Sequence, residues 1–207
     1  MKKEGRIEII IGTMFSGKST ELIRRLNRYE ISGLSTVLYK PAIDTRYCEK
    51  AVASHDKLMR QAIPVNTIED IRKTLLPETQ VIGFDEAQFL PSYFVSFCHE
   101  QAQQGKIIIA GFLLKNFRDE AFPFINGTRT VMDLVAIADT ITSMTAICTY
   151  KDRSGPCGRD ASRVQRLQDG KSVPYESPIV LVGGKESYEP RCRTHFVHYA
   201  GNKHLGE

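Results

Sequence analysis

Eight residues near the start of the chain have the types and spacing needed to bind a polyphosphate. They fit the phosphate-loop pattern G-x-x-x-x-G-K-[ST]. Backbone N–H groups in such a loop point toward one spot, and the N-terminus of the following helix adds positive potential there. The alternative is a chance glycine turn with a solvated lysine. The residues are Gly12, Thr13, Met14, Phe15, Ser16, Gly17, Lys18 and Ser19.

Two carboxylates and their neighbours form a second group that could bind a metal ion or take part in catalysis. Asp85, Glu86, Ala87 and Gln88 follow the apolar run Val81–Phe84, which reads as a strand. Ligands bind at the carboxyl ends of strands in parallel sheets, so Asp85 should emerge beside the phosphate loop. There it could orient the water shell of a Mg²⁺ ion whose other protein ligand is the hydroxyl of Ser19.

Glu86 should point elsewhere, where it suits proton abstraction from an attacking oxygen or alignment of a water. The run Asp85–Gln88 also resembles the strand-end box of nucleic-acid helicases. Those enzymes need a second motor lobe, for which 207 residues leave no room. A strand that simply ends in solvated acids is the alternative.

Three cysteines and a histidine in the last third of the chain have metal-ligand character. Eight residues separate Cys148 from Cys157, and after a further 34 residues Cys192 and His195 form a C-x2-H pair. Four such ligands can enclose a tetrahedral Zn²⁺, and a closed site of this kind would be structural. His198 is a rival for His195, and three idle thiols beside a surface histidine are the alternative.

Apolar and β-branched runs alternate with helical patterns up to about residue 146. Alternation of this kind favours an α/β fold like that of P-loop NTPases, with a parallel sheet flanked by helices. Four helices are predicted. The first begins after the phosphate loop and ends near Gly33, and the second runs from about Thr67 to Leu75. The third and fourth span Ser92–Gln104 and Val131–Ala138. The predicted strands are Arg6–Ile11, Thr36–Tyr39, Gln80–Phe84, Ile107–Ala110 and Thr140–Ile147.

The pattern changes in the last third of the chain. Two apolar runs, Val164–Leu167 and Ile179–Val182, are separated by Asp169-Gly170, a pair that favours hairpins. We therefore expect a nucleotide-binding domain over residues 1–147 and a small β-rich zinc-binding domain over residues 148–207. About 60 residues rarely form a stable core without a staple such as a metal ion.

Bulk properties narrow the classes of protein. Apolar residues make up 42% of the chain, and no apolar run approaches the ~18 residues of a membrane span. The N-terminus shows no secretory pattern, so we expect a cytoplasmic protein without a membrane partner. The five cysteines are an odd number, which argues against a disulfide framework. The net charge of +4 is scattered, and Arg24, Arg25 and Arg28 suit a solvated helix face better than a nucleic-acid stripe.

Six motifs in order resemble the thymidine kinase family of the zinc-containing, phosphate-loop type. The resemblance extends from about Ile7 to Tyr199. The motifs are Gly12–Ser19, Lys40–Arg46, Asp85–Phe89, Asn116–Phe122, the stretch from Gly183-Gly184 to Tyr188, and Cys192–His195.

The resemblance implies transfer of the γ-phosphoryl group of ATP to the 5′-hydroxyl of thymidine. Glu86 would then be the general base, and Lys18 would hold the transferring phosphates. Ser19 and Asp85 would serve Mg²⁺, and Asp85–Gln88 would complete the ATP site with the phosphate loop. The family also implies inhibition by thymidine triphosphate, a homotetramer, and a structural Zn²⁺ that anchors a lasso-like loop.

The resemblance further implies a nucleoside pocket. Positions that surround the base and sugar are Met14, Phe89, Leu113, Phe117 and Phe122. The lasso, whose backbone would hydrogen-bond the thymine ring, matches Ile179, Val180, Leu181, Val182, Gly183 and Tyr188. The chain departs from the family pattern at Phe112, Leu114, Ala121 and Val164, the last at a place often held by threonine.

Two other hypotheses remain open from the residues alone. One is a nucleotide-gated module that binds DNA or RNA through its zinc segment. The other is a metal-bound scaffold with a degenerate nucleotide site. Nucleotide turnover that depends on thymidine, on nucleic acid or on neither would separate the three.

Overall fold

A six-stranded, all-parallel sheet forms the centre of the molecule in the computed structural model, which describes residues 4–44, 51–53, 59–153, 155–181 and 187–198. The helices are α1 (Lys18–Ile31), α2 (Ile68–Thr74), α3 (Phe94–Gln103) and α4 (Val131–Ala136). The strands of this first part are β1 (Arg6–Gly12), β2 (Thr36–Pro41), β3 (Ala51–Ala53), β4 (Met59–Gln61), β5 (Ile63–Val65), β6 (Val81–Phe84), β7 (Ile107–Leu113) and β8 (Thr140–Met144).

The order of strands across the sheet is β5-β2-β6-β7-β1-β8, and it confirms the predicted parallel α/β class. Strand β1 is buried on both faces, as expected for a β-branched run in a parallel sheet. Ile9 packs into the cluster on one face, whereas Ile10 packs against α1 on the other. Its register pairs Gly12 with Leu113 of β7, while Phe84 of β6 pairs with Ala110. The chain segments that follow β1, β6 and β7 therefore all begin at the carboxyl ends of the strands, on one side of the sheet.

The helices form for the local reasons predicted. Helix α1 begins after Gly17 and buries Leu22 and Leu26 against the sheet. Helix α2 has a capping box, in which the Thr67 hydroxyl accepts from the backbone N–H of Asp70 and the Asp70 carboxylate accepts from the backbone N–H of Thr67. No helix among the described residues combines the length and apolarity that a membrane crossing requires.

Several details of the sheet differ from the sequence prediction. Strand β7 continues to Leu113, three residues beyond the predicted end at Ala110. The last strand was expected to reach Ile147, but β8 ends at Met144 because the chain then turns to pair Ala146 with Ala161. Strand β5 was not predicted, since a run of three residues with Pro64 at its centre carries no strand pattern. Proline is tolerated there because β5 is an edge strand.

The C-terminal segment is built from short antiparallel pairs and a three-stranded sheet. In that sheet β13 (Arg163–Gln168) lies between β14 (Lys171–Ser172) and β15 (Tyr188–Arg191). The predicted hairpin turn is confirmed, with Asp169 (φ 52°) and Gly170 (φ 73°) in the left-handed region. The apolar run Ile179–Leu181 forms no strand, and β15 lies beside β13 instead. The strands are β9 (Ala146–Ile147), β10 (Lys151–Asp152), β11 (Gly155–Pro156), β12 (Asp160–Ala161), β13 (Arg163–Gln168), β14 (Lys171–Ser172) and β15 (Tyr188–Arg191).

Candidate active site

The phosphate loop curls around the carbonyl of Thr13. The ammonium of Lys18 donates to this oxygen at 2.7 Å, and the hydroxyl of Ser16 donates to it at 2.9 Å. Phe15 (φ 65°) and Gly17 (φ 87°) take left-handed conformations, which bend the backbone into the start of α1. The predicted strand, loop and helix are therefore present, with the buried Lys18 inside the curl.

Glycine is required at the first position of the loop. A β-carbon on Gly12 would lie 2.4 Å from the carbonyl oxygen of Met144 and 2.7 Å from the hydroxyl of Ser16. Both distances are shorter than any normal contact, and the first atom belongs to the backbone. The close approach of β1 to β8 therefore dictates this residue.

Ser19 and Asp85 meet at the mouth of the loop, as predicted. The hydroxyl of Ser19 donates to Oδ2 of Asp85 at 2.8 Å. The Asp85 carboxylate lies over Gly111 of β7, where a β-carbon would be 3.4 Å from Oδ1, an ordinary van der Waals contact. A hydroxyl and a carboxylate beside a phosphate loop are the oxygen donors that Mg²⁺ accepts, so these residues fit that ion.

Glu86 faces a different space from its neighbour Asp85. Its backbone is left-handed (φ 48°, ψ 41°), a conformation that costs a non-glycine residue about 1–3 kcal/mol. Nε2 of Gln88 donates to the Glu86 carboxylate at 2.5 Å, while Oε1 of Gln88 accepts from the backbone N–H of Leu113 at 3.1 Å. The Leu113 contact fixes the orientation of the Gln88 amide, which in turn holds the buried Glu86 carboxylate in place.

A cavity adjoins Glu86, and most of the predicted nucleoside-binding residues line it. Its walls come from the phosphate loop, from residues 114–122 after β7 (the aromatic loop), and from residues 173–181 after β14 (the lasso segment). The predicted residues that line it are Met14, Glu86, Phe89, Leu113, Phe117, Phe122, Ile179, Leu181 and Tyr188.

The cavity is apolar apart from a few polar groups, which suits a planar heterocycle. The rings of Phe89 and Phe122 meet edge to face with centroids 5.7 Å apart. The hydroxyl of Tyr188 donates to the carbonyl of Leu181 at 2.8 Å and ties β15 to the lasso segment.

Some predicted residues lie elsewhere. Val180 does not line the cavity and packs against the main core instead. Ala87 lies in the same core, and Gln88 serves Glu86. Val182 and Gly183 lie outside the described residues, as do residues 45 and 46 of the Lys40–Arg46 motif and residue 199 at the end of the resemblance.

Sequence reasoning assigned no role in the cavity to Lys115 and Asn116, which line it. Val164, which stands where the family often has a threonine near the base, lines it too. Their place in the sequence could have indicated this role, since Lys115 and Asn116 stand between the predicted pocket residues Leu113 and Phe117. A polar residue in an apolar run carries no periodic signal of its own.

The predicted metal ligands come together. The donor atoms of Cys148, Cys157, Cys192 and His195 all lie within 4.8 Å of one another. Sγ of Cys192 is 3.9 Å from Sγ of Cys157 and 3.6 Å from Nδ1 of His195. Ligands about 2.3 Å from a tetrahedral Zn²⁺ are about 3.8 Å apart, so the set is compatible with zinc.

The hairpin of β10 and β11 explains the wide spacing of the first cysteine pair. It returns the chain so that the backbone N–H of Cys157 donates to the carbonyl of Tyr150 at 2.8 Å. His195 is the fourth member of the cluster, whereas the exposed ring of His198 packs against Phe196. The structure therefore brings His195, and not His198, together with the three cysteines.

The electrostatics around Cys157 favour a thiolate. Nε of Arg159 donates to Sγ of Cys157 at 3.3 Å. This hydrogen bond lowers the pKa of Cys157 to about 6, which makes the thiol a better metal ligand near neutral pH.

The cysteine cluster also contacts the phosphate loop. Phe15 packs against the small apolar group that contains Cys148 and Cys192. The hydroxyl of Thr13 donates to the carbonyl of Ala161 at 3.3 Å. The C-terminal segment therefore supports the loop as well as one wall of the cavity.

Comparisons with known proteins agree with this geometry. The family model described as thymidine kinase matches residues 5–196. The chain is 43% identical over 202 residues to a protein named thymidine kinase from Thermococcus kodakarensis, covering 95% of this chain and 96% of that protein. The chain therefore belongs to the thymidine kinase family.

Proposed function

We propose that the protein transfers the γ-phosphoryl group of ATP to the 5′-hydroxyl of thymidine, giving thymidine monophosphate and ADP. Family membership supports a kinase that uses ATP and thymidine. One observation carries the assignment of residues. The adjacent residues Asp85 and Glu86 serve different sites, since Asp85 binds Ser19 of the phosphate loop and Glu86 lines the apolar cavity.

The phosphate side of the site provides charge neutralisation. The backbone N–H groups of the loop and the ammonium of Lys18 bind the transferring phosphates. Ser19 and Asp85 would hold Mg²⁺, which when bound supplies positive charge against the phosphate oxygens. The loop follows the end of β1 and Asp85 follows the end of β6, so the parallel sheet sets the spacing of these groups.

The nucleoside side provides the acceptor. With thymidine in the cavity, the Glu86 carboxylate accepts the proton of the 5′-hydroxyl as the oxygen attacks phosphorus. Gln88 keeps that carboxylate aligned through its own contact with Leu113. Phe117 and Phe122 bound the base and sugar, while the lasso backbone reads the edge of the base.

Zinc is part of the same proposal. Cys148, Cys157, Cys192 and His195 would bind one Zn²⁺ in a closed site without a catalytic role. Such a site can contribute about 10–16 kcal/mol in small zinc-binding peptides. It would anchor both the phosphate loop, through Phe15, and the strands beside the lasso segment.

Regulation and assembly extend the proposal. Thymidine triphosphate carries the base for the cavity and the phosphates for the loop, so it should inhibit by occupying both. A homotetramer, which the family resemblance implies, would cover exposed surface such as the open edge at β8, where Ile141 is 52% exposed. A cytoplasmic location stays a prediction.

A panel of nucleosides assayed with ATP and Mg²⁺ tests the function. ADP release should depend on thymidine and should vanish when the panel contains only purine nucleosides. A parallel arm with DNA tests the alternative of a nucleic-acid-dependent ATPase. ADP release that DNA stimulates and thymidine does not would overturn the proposal.

A further inference from the structure

The aromatic loop and the lasso segment face each other across the cavity and are joined by polar contacts outside it. We propose that Arg118, Glu120 and Tyr175 form a clasp that positions the lasso segment for nucleoside binding. None of the three lines the cavity. The inference rests on the proposed function and adds positioning residues to it.

Arg118 makes the first half of the clasp. Its guanidinium lies 4.4 Å from the ring centroid of Tyr175 and 5.5 Å from that of Phe117. The same guanidinium donates to the carbonyl of Ser177 at 3.1 Å. A planar cation between two rings contacts both walls, because Phe117 belongs to the aromatic loop and Tyr175 to the lasso segment.

Tyr175 and Glu120 make the second half. The phenol of Tyr175 donates to the carboxylate of Glu120. The backbone N–H of Glu120 is itself held by Oδ1 of Asn116 at 3.2 Å, which fixes the acceptor relative to the cavity. The hydrogen bond to Glu120 raises the pKa of Tyr175, so the phenol stays a proton donor throughout the neutral range.

The contacts end just before the residues that touch the nucleoside site. Arg118 holds the carbonyl of Ser177, and Arg166 of β13 donates to the carbonyl of Pro178. The next residue, Ile179, lines the cavity. The clasp therefore sets where the lasso wall begins, while Tyr188 holds its far end through Leu181.

Loss of the clasp should weaken nucleoside binding through lost pre-organisation. The lasso segment forms one wall of the cavity through Ile179 and Leu181, so the clasp stabilises the closed wall. If only a fraction of molecules hold the wall closed, the apparent dissociation constant rises by the inverse of that fraction. The phosphate loop lies outside these contacts, so ATP binding should not change.

The Tyr175→Phe variant tests the clasp with least disturbance, because it keeps the ring and removes one hydroxyl. We expect the KM for thymidine to rise about threefold to tenfold. The KM for ATP and the kcat at saturating thymidine should stay within twofold. Tyr93→Phe is the matched control, since Tyr93 is an exposed tyrosine at the start of α3.

Arg118→Lys tests the other half, because it keeps the charge and loses the planar fork. The KM for thymidine should rise about tenfold. Arg72→Lys is the control, since Arg72 forms a surface ion pair with Glu100. A double variant of Tyr175→Phe and Glu120→Gln should be no worse than either single one if the two groups act as a pair.

Hydrogen exchange of the lasso segment provides a readout that needs no turnover. In both clasp variants its backbone amides should exchange faster than in the parent, while amides of β1 and β7 stay protected. Unchanged exchange together with an unchanged KM for thymidine would overturn the clasp. If the parent protein phosphorylates no nucleoside, the proposed function fails, and the exchange comparison still decides whether the clasp exists.

Discussion

The phosphate half and the nucleoside half of the site are built in different ways. The phosphate loop, Asp85 and Glu86 follow β1 and β6, and the ladder of the parallel sheet sets their spacing. Two walls of the cavity come from the aromatic loop and the lasso segment, neither of which belongs to the main sheet. Their relative position depends on side-chain contacts such as Arg118 with Ser177.

The two halves of the site should therefore respond differently to substitutions. Sheet-borne groups are pre-organised by backbone hydrogen bonds, so chemistry at Glu86 should be lost only by changing the groups themselves. Loop-borne walls are held by a few contacts near the surface, so single substitutions there should change affinity. The two halves meet at Gln88, which joins Glu86 to the end of β7.

The largest expected effect comes from removing the base. Glu86→Gln should lower kcat by roughly 10²–10⁴-fold, because a positioned general base contributes that much. The KM for thymidine should change little. Steady-state kinetics on the folded variant check this, with Glu100→Gln on the surface of α3 as the control. A kcat within a few-fold of the parent would remove Glu86 from this role.

Lys18→Ala should impair the phosphate half of the site and leave the nucleoside half unchanged. Loss of a charged phosphate contact should lower kcat/KM for ATP by about 10²–10³-fold. Calorimetric titration should show thymidine binding retained, because Lys18 does not line the cavity. Lys73→Ala is the control, since Lys73 is an exposed residue of α2. Equal losses for ATP and thymidine would show that the halves are not independent.

Zinc removal should affect both halves of the site. Elemental analysis should find about one zinc per chain, and Cys192→Ser should lose it and unfold several degrees lower. Binding of both ATP and thymidine should weaken, because Phe15 and β15 contact this segment. Cys98→Ala is the control, since Cys98 is buried beneath the sheet. Full zinc content in Cys192→Ser would exclude Cys192 as a ligand.

The smallest expected effect is electrostatic and lies far from both walls. A hydrogen bond from Arg24 lowers the pKa of Glu21 to about 2, below its usual value near 4.5. The lowered pKa means that this pair stabilises the fold above about pH 4.5 and loses its effect as the pH falls toward 2. Because the pair lies near the surface, Glu21→Gln should cost under about 1 kcal/mol at pH 7.

Denaturant unfolding at pH 7 and pH 2.5 measures the Glu21 effect. The destabilisation should be present at pH 7 and should shrink at pH 2.5. An equal destabilisation at both values would mean that Glu21 acts through packing and not through its charge.

The sheet half was largely predictable from sequence because its signals are local. A β-branched run, a glycine loop and an amphipathic helix follow one another from Arg6 to Ile31, and the capping box at Thr67 needs only four residues. Strand β5 was not predictable, since its pairing with β2 is a long-range contact between a short run and an edge.

The C-terminal segment was less predictable because its contacts are set by side chains that are distant in sequence. The ligand residues could be named from their types, yet the return of Cys157 depends on the hairpin of β10 and β11. The choice of His195 over His198 needed the three-dimensional positions. Val180 follows Ile179 along an apolar run, and no sequence period shows which of them faces the cavity.

Identification of the reaction product distinguishes phosphoryl transfer to the 5′-hydroxyl from hydrolysis of ATP. Purified protein with thymidine, ATP and Mg²⁺ should give a phosphomonoester whose ³¹P signal couples to the protons of the 5′-carbon, with one ADP formed for each nucleotide produced. Glu86→Gln should form the same product far more slowly. Thymidine recovered unchanged while ADP accumulates, or a phosphate found on the 3′-oxygen, would contradict the assignment of Glu86 and of the cavity beside it.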